Sequence, residues 1–418
     1  MSESTSPRGV FRGWYVVLGT FTVLFIAFGG AYSFPAFFES FQKEFGATRG
    51  EVSLVFSIAG LIYFVAGAVT GVIADRIDPR WVIAPGIVMI GAGLILGSFA
   101  EKLWHVYLAY GLGVGFGVGF AYVPSVGPVQ RWFVKKRGTA SGLAVTGIGA
   151  GTLITPIVAA WLIADFSWRT AYLALGIFSI IVGVLGTWLI EASPQKRGLA
   201  PDGDPAPTHA AGTPRPPLPG FTIRGAIRQR PFVQLYLAGG IMSLALFVPF
   251  VHLAPYAKDH GLSDGLAVLL IGLIGVGSTL GRFVMGGIAD RFGRRQSLIG
   301  MFVGIALIML YWLIATKFWE LALFALVFGA CYGGFVALVP AVTVDYFGPR
   351  NAGGIIGALY TSVGLSTFLG PAMAGYAFDF FGSYTWPIVV SAVAAIVGAI
   401  FIGLLTDPEA WKRTHPAH

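Results

Sequence analysis

The stretch Ser278–Gln296, STLGRFVMGGIADRFGRRQ, starts inside an apolar run and ends in a cluster of charge. Its apolar part holds one arginine, Arg282, with no acidic residue in the turns before it. An arginine at the centre of a bilayer costs about 3 kcal/mol on insertion scales, so its presence calls for a partner or a task. A guanidinium can hold a carboxylate through two parallel hydrogen bonds. Gly275, Ser278, Arg282 and Gly286 recur at helical spacing and give one small, polar face. That face is expected to line a cavity, with Arg282 about 12 Å from its helix end at Asp290 at 1.5 Å per residue. The competing reading is an arginine paired to a neighbouring helix or snorkelling to the surface. His252, in FVHLAPYAKDHG, is the histidine embedded in an apolar run. It is either a proton relay, which its titration range suits, or a packing residue hydrogen-bonded to the first span.

Other chemistry is not indicated. The chain has no G-x-S-x-G, no H-E-x-x-H, no Walker A motif and no paired buried carboxylates, so an enzyme is not expected. Its single cysteine, Cys331, excludes an intramolecular disulfide and a multi-cysteine metal site. Neither cofactor nor metal is expected. The glycines at 111, 113, 115, 117 and 119 sit inside an apolar run with no Lys-Ser/Thr after them. They read as a surface for close helix packing in lipid and not as a phosphate cradle.

These residues need spanning helices to position them. The 418 residues are 56% hydrophobic and 11% charged, against about 25% charged in soluble domains. A spanning helix takes about 20 apolar residues. Twelve runs qualify, spans 1 to 12 in order: 14–38, 51–74, 81–100, 103–129, 138–163, 168–190, 232–256, 264–289, 297–316, 318–344, 352–380 and 384–405. The first follows Arg8 and Arg12 and has no small-residue cleavage site, so it reads as a span and not as a cleaved signal. The fold class is thus an all-α membrane protein. With both termini on the cytoplasmic side, twenty of the 27 Lys and Arg lie there and six on the other side. The positive-inside rule then fixes the orientation. The net charge of +8 follows from topology, and no soluble domain gathers base for a nucleic acid.

The segment APDGDPAPTHAAGTPRPPLPG separates six spans from six. It reads as a flexible linker, giving a first bundle at 1–191, a cytoplasmic linker at 192–230 and a second bundle at 231–418. The FTIRGAIRQRPF that follows reads as an interfacial helix or a basic loop. The halves repeat: GVIADR at 71–76 returns as GGIADR at 286–291, Lys43 and Gly46 match Lys258 and Gly261, and Pro156 matches Pro371. AYVPSV at 121–126 resembles ALVPAV at 337–342. Two pseudo-symmetric six-helix bundles are expected. Arg282 matches Gly67, so the scaffold itself does not require an arginine there.

Twelve spans in two halves, a long central loop, and a G-x-x-x-D-R motif after spans 2 and 8 resemble the major facilitator superfamily. The second copy (Gly286, Asp290, Arg291, Gly293, Arg294, Arg295) fits well, whereas Asp78 and Pro79 depart from the motif in the first. The run from Arg131 to Gly151, RWFVKKRGTASGLAVTGIGAG, and the start Arg12-Gly13-Trp14 resemble the monocarboxylate transporter family. The resemblance implies a secondary active transporter of a small monocarboxylate, lactate or pyruvate in type, moved with a proton by alternating access across the cytoplasmic (plasma) membrane. It implies that Arg282 binds the substrate carboxylate. Ser278 and Ala36 stand where animal relatives carry an aspartate and a lysine, and Ser362 where the oxalate exchanger carries a second cation. One fixed charge favours a monocarboxylate over a dicarboxylate. Phe28, Tyr122, Val145, Cys331, Phe335, Tyr360 and Ser362 are candidate lining residues, or else interhelix packing. Asp75, Arg76, Asp290 and Arg291 are candidate gating residues, or else helix caps. The expected partners are a monocarboxylate, a proton and the bilayer, with no nucleic acid and a functional monomer. An organic-anion exchanger of oxalate/formate type is the alternative, with a non-transporting membrane sensor behind it.

Overall fold

The computed structural model describes residues 11–74, 77–203 and 220–414, and shows twelve helices long and apolar enough to cross a membrane. Span 1 is Gly13–Phe45, span 2 Arg49–Gly71, span 3 Arg80–Ser98, span 4 Leu103–Trp132, span 5 Gly138–Asp165 and span 6 Trp168–Leu189. Spans 7 to 12 are Arg230–Asp259, Asp264–Ala289, Arg294–Trp312, Phe318–Phe347, Ala352–Phe381 and Thr385–Gly403. They form two six-helix bundles, with no strand among the described residues. One face carries the chain ends and the central linker and is called the terminal face below. The other carries the turns after spans 1, 3, 5, 7, 9 and 11.

Each half begins with a helix broken near its middle. Span 1 changes direction at Ser33, just before Pro35, and span 7 at Phe247, just before Pro249. A proline has no N–H to give to the carbonyl four residues back. In span 1 that carbonyl belongs to Ala31, and the Tyr110 hydroxyl of span 4 donates to it at 2.8 Å. The break therefore leaves no orphaned acceptor there. It also turns the apolar residues after it, Phe34, Phe37, Phe38 and Phe41, into fully buried positions.

Small residues bring the key helices close. Gly275 of span 8 lies on Thr152 and the Gly149 carbonyl of span 5, across the join between the halves. Gly333 of span 10 lies so near the Ser278 backbone of span 8 that a Cβ would collide with it. Span 8 is thus clamped between spans 5 and 10, which fixes the rotation of Arg282. Spans 2 and 11 make the other long contact across the join, with Gly357 against Ala68.

The linker is fastened at both described ends. Glu191 receives Arg12 at 3.0 Å and Arg197 at 2.6 Å, with Arg80 at 3.5 Å. Asp202 accepts the backbone N–H groups of Val134 and Lys135 at 2.9 and 2.8 Å, just before span 5. Beyond 204–219, which lie outside the described residues, Phe221 donates its N–H to the Phe347 carbonyl at the end of span 10. Ile223–Ile227 is helical, a short helix within the stretch read as an interfacial helix or a basic loop.

Candidate functional site

Arg282 enters a cavity of about 30 Å³ at the join between the halves. Spans 1, 2, 4 and 5 contribute Phe28, Tyr63, Phe64, Tyr122 and Ile148, and spans 7, 10 and 11 contribute Phe247, Tyr332, Phe335, Val336, Tyr360 and Val363. Nine of the twelve lining residues are aromatic or a basic side chain set among rings, and among the described residues none is acidic. Arg282 is half-buried, and its Nε is buried with no hydrogen-bond partner. No described carboxylate forms an ion pair with it. Among the described residues its charge therefore faces rings, hydroxyls and aliphatic side chains, with Tyr32, Tyr332 and Tyr360 within electrostatic reach. A guanidinium in a site of low polarity attracts an anion far more strongly than it does in water.

The cavity is closed toward the face opposite the termini. Tyr32 of span 1 and Tyr332 of span 10 share a hydrogen bond of 3.1 Å, and Phe250 of span 7 stacks on Tyr32 at 4.4 Å. Further out, Arg49 of span 2 holds Asp259 of span 7 through two bonds of 2.7 and 2.6 Å and reaches the Tyr384 hydroxyl at 2.8 Å. Asp379 of span 11 caps the start of span 2 by accepting the N–H groups of Arg49 and Gly50. Lys258 bridges to Glu39 at 3.5 Å. Each of these contacts joins one half to the other.

Toward the terminal face the path is open. A vestibule of about 400 Å³ reaches from Gln130 and Arg131 to Tyr63, Phe64, Tyr122 and Tyr360, which also line the central cavity. Gly67, the repeat counterpart of Arg282, forms part of its wall.

His252 is fully buried, away from the cavity. Its Nε2 lies 2.8 Å from the Pro371 carbonyl and 3.3 Å from the Ser53 hydroxyl, and its Nδ1 lies 3.0 Å from the Tyr384 hydroxyl. The carbonyl can only accept, so Nε2 carries a proton. With Arg49 donating to the Tyr384 oxygen, the Tyr384 proton is free to go to Nδ1. The pattern is satisfied by a neutral ring. Its hydrogen-bond partners come from spans 2 and 11 and from Tyr384 just before span 12, while span 1 meets it through the ring of Phe38 at 5.9 Å.

Of the residues expected around Arg282, the structure brings Phe28, Tyr122, Phe335 and Tyr360 into the cavity wall. Ser278 is buried beside span 10, its hydroxyl without a partner. Ser278 does not line the cavity, and neither do three further residues expected there. Cys331 turns to span 9, where its Sγ lies over Gly304. Ser362 faces Gly240 of span 7 and donates to its own helix at Leu359. Val145 is half-buried one turn short of Ile148, which takes the lining place on span 5. Asp75 and Arg76 lie outside the described residues, as does the Asp290 side chain, and Arg291 is exposed with its guanidinium over Phe292.

The sequence matches the Major Facilitator Superfamily over residues 20–286 and again over 235–418. The chain belongs to the major facilitator superfamily. Within it, the likeness falls on the monocarboxylate transporter family. Monocarboxylate transporter 12 of Rattus norvegicus is 28% identical over 98% of this chain and 89% of its own length. Monocarboxylate transporter 11 of Homo sapiens is 28% identical over 94% and 83%. In fold, the chain is similar to a crystal structure of a bacterial homolog to the human lysosomal transporter Spinster, in an inward-facing and unoccupied conformation. The TM-score is 0.68 at 16% identity, over 95% of this chain and 97% of that one.

Sequence reasoning missed the residues that close this major facilitator protein. Tyr32 and Tyr332 carried a signal of their own. Tyr32 follows Phe28 by four, and Tyr332, Phe335, Val336 and Val339 fall at i, i+3, i+4 and i+7, one helix face. The outer ion pair was hidden because Arg49 and Asp259 are 210 residues apart and both near helix ends, where charge is ordinary.

Proposed function

We propose that this protein is a secondary active transporter that carries a small monocarboxylate across the cell membrane with a proton, by alternating access. The observation that carries the reading is Arg282. It is a cation in an aromatic cavity with no described acidic partner, reachable from one face while the other is sealed. One positive charge matches one carboxylate, and binding would neutralise the cavity before it closes and moves. The names of the relatives agree with a monocarboxylate, and we take lactate or pyruvate as the type. On the charge bias of the loops we take the terminal face as cytoplasmic, with the open vestibule facing inward. The lining of the cavity includes no described Asp, Glu or His. The proton is therefore taken by the carboxylate itself or by His252 in the seal.

The test is uptake of labelled lactate, pyruvate, acetate and benzoate into proteoliposomes under an inward proton gradient. Arg282→Ala should abolish uptake and Arg282→Lys should leave a small fraction, because an ammonium cannot reproduce the bidentate geometry. Size-exclusion profiles of the variants should match that of the parent. Undiminished uptake by Arg282→Ala would overturn the assignment, and uptake that requires preloaded anion would make the protein an exchanger.

A further inference from the structure

Five of the described arginines on the terminal face are paired within the protein. Arg12, Arg80 and Arg197 converge on Glu191, Arg294 holds Asp345 at 2.8 Å, and Arg295 donates to the carbonyls of Ile402 and Gly403. Arg131 differs. It lies in the last turn of span 4, exposed, with no hydrogen bond or ion pair to any described residue. Its guanidinium folds back over Gly127, where a Cβ would stand 3.4 Å from Nη2, and both residues line the vestibule. Gly127 leaves room for that fold, so the charge is held over the opening. Among the described residues lining the vestibule, Arg131 is the one charged side chain. The carboxylate of Asp202 is occupied by the backbone before span 5.

Among the described residues, the wall between Arg131 and the centre carries no charged side chain. Gly67, Ala68 and Gly71 of span 2 and Gly119 of span 4 form its sides. It narrows to Tyr63, Phe64, Tyr122 and Tyr360, with Phe64 edge-on to Tyr360 across the join at 5.8 Å. Arg282 lies on the far side of this collar. A cleft with low-dielectric walls and charge of one sign concentrates its field along the axis and raises the local concentration of the opposite ion.

We infer that Arg131 is a capture position for the carboxylate at the vestibule mouth, through which the substrate passes before it reaches Arg282. The inference rests on the reading of Arg282 as the carboxylate site. It makes the transporter asymmetric: a cation with no described partner waits at the vestibule mouth, whereas on the sealed side Arg49 and Lys258 are tied to Asp259, Glu39 and Asp264. An arginine that only meets lipid headgroups would leave transport kinetics unchanged.

The experiment is transport of labelled lactate, pyruvate, acetate and benzoate by the full-length protein in proteoliposomes of known orientation, measured from each face in low and high salt. With Arg131→Gln, KM for substrate presented to the vestibule should rise roughly tenfold in low salt, with the maximal rate kept and KM from the other face unchanged. High salt should shrink the difference, since the screening length falls to about 3 Å at 1 M. Arg131→Lys should restore most of the affinity, because capture needs the charge and not the fork. An unchanged KM on the vestibule side, or a rise that is equal from both sides or indifferent to salt, overturns the capture role and leaves the Arg282 reading standing. If the parent protein moves none of the four acids, the Arg282 reading fails and this inference with it.

Discussion

The hydroxyls of Tyr32 and Tyr332, 300 residues apart in sequence, meet at 3.1 Å over the cavity that holds Arg282. Each belongs to a different half, so this bond exists only while the halves are together on the sealed side. Removing it should cost about 1 kcal/mol of that closed arrangement, or roughly fivefold in its population. Tyr32→Phe and Tyr332→Phe should shift a distance measured between spectroscopic labels on the sealed face to the same degree. The double variant should shift it no further, because the two share one interaction. Additive shifts would mean that each phenol has a separate role.

Arg49 is the stronger fastening. It joins span 2 to Asp259 of span 7, touches Tyr384 and lies over the ring of Phe378 at 4.0 Å. Charge-assisted bonds of this type contribute about 1.5–3 kcal/mol. Arg49→Gln should therefore open the sealed face more than either tyrosine change does. A thiol placed at Phe250 should then react with a water-soluble reagent at least ten times faster, on the order of what 1.4 kcal/mol implies. A reaction rate equal to that of the Phe250→Cys parent would show that packing alone holds the seal.

His252 sits inside the seal. Its ring is satisfied in the neutral form by Pro371 and Tyr384, with Arg49 and Asp379 nearby in charge and Asp259 beyond Arg49. A second ring proton on Nδ1 would face the Tyr384 hydroxyl, which already accepts from Arg49. On the proposed proton coupling, a second ring proton would leave the Tyr384 O–H without its Nδ1 acceptor and so work against the sealed arrangement. His252→Gln should flatten the dependence of uptake from the sealed side on pH between about 5 and 8, the ordinary histidine window. An unaltered pH profile returns His252 to a packing role and leaves the carboxylate beside Arg282 as the proton carrier.

Twelve spans were legible because each is a continuous apolar run, and Arg282 because a charge in such a run is costly. Phe28, Tyr122, Phe335 and Tyr360 were legible as large residues near the expected depth. Cys331 and Ser362 were not placed correctly by depth alone, because consecutive residues on a helix point about 100° apart. A shift of one position, to Tyr332 and Val363, is what carries the chain from helix packing to the cavity wall. The breaks at Ser33 and Phe247 redirect spans 1 and 7, and the prolines behind them are visible in the sequence, but their effect depends on what each freed carbonyl finds. Ala31 finds Tyr110, a partner no local pattern predicts. The role of the linker ends was hidden for a similar reason: Glu191 and Asp202 act on residues far away in sequence.

Glu191 gives a prediction that separates stability from transport. The carboxylate is buried, which by itself opposes its charge, yet Arg197 and Arg12 hold its pKa below the ordinary value of 4.5. A group whose folded value is depressed stabilises the fold above its unfolded value and loses that contribution as pH falls through the folded one. Glu191→Gln should therefore lower the melting temperature at pH 7, where the ion pairs are complete. The gap between variant and parent should narrow as pH drops below about 4.5 and the parent's own carboxylate takes up its proton. Transport KM at pH 7 should not change, since Glu191 lies at the end of span 6, outside the vestibule lining. A melting difference that stays constant from pH 7 to pH 4 would show that Glu191 contributes through shape and its backbone bond from Trp132, and not through charge.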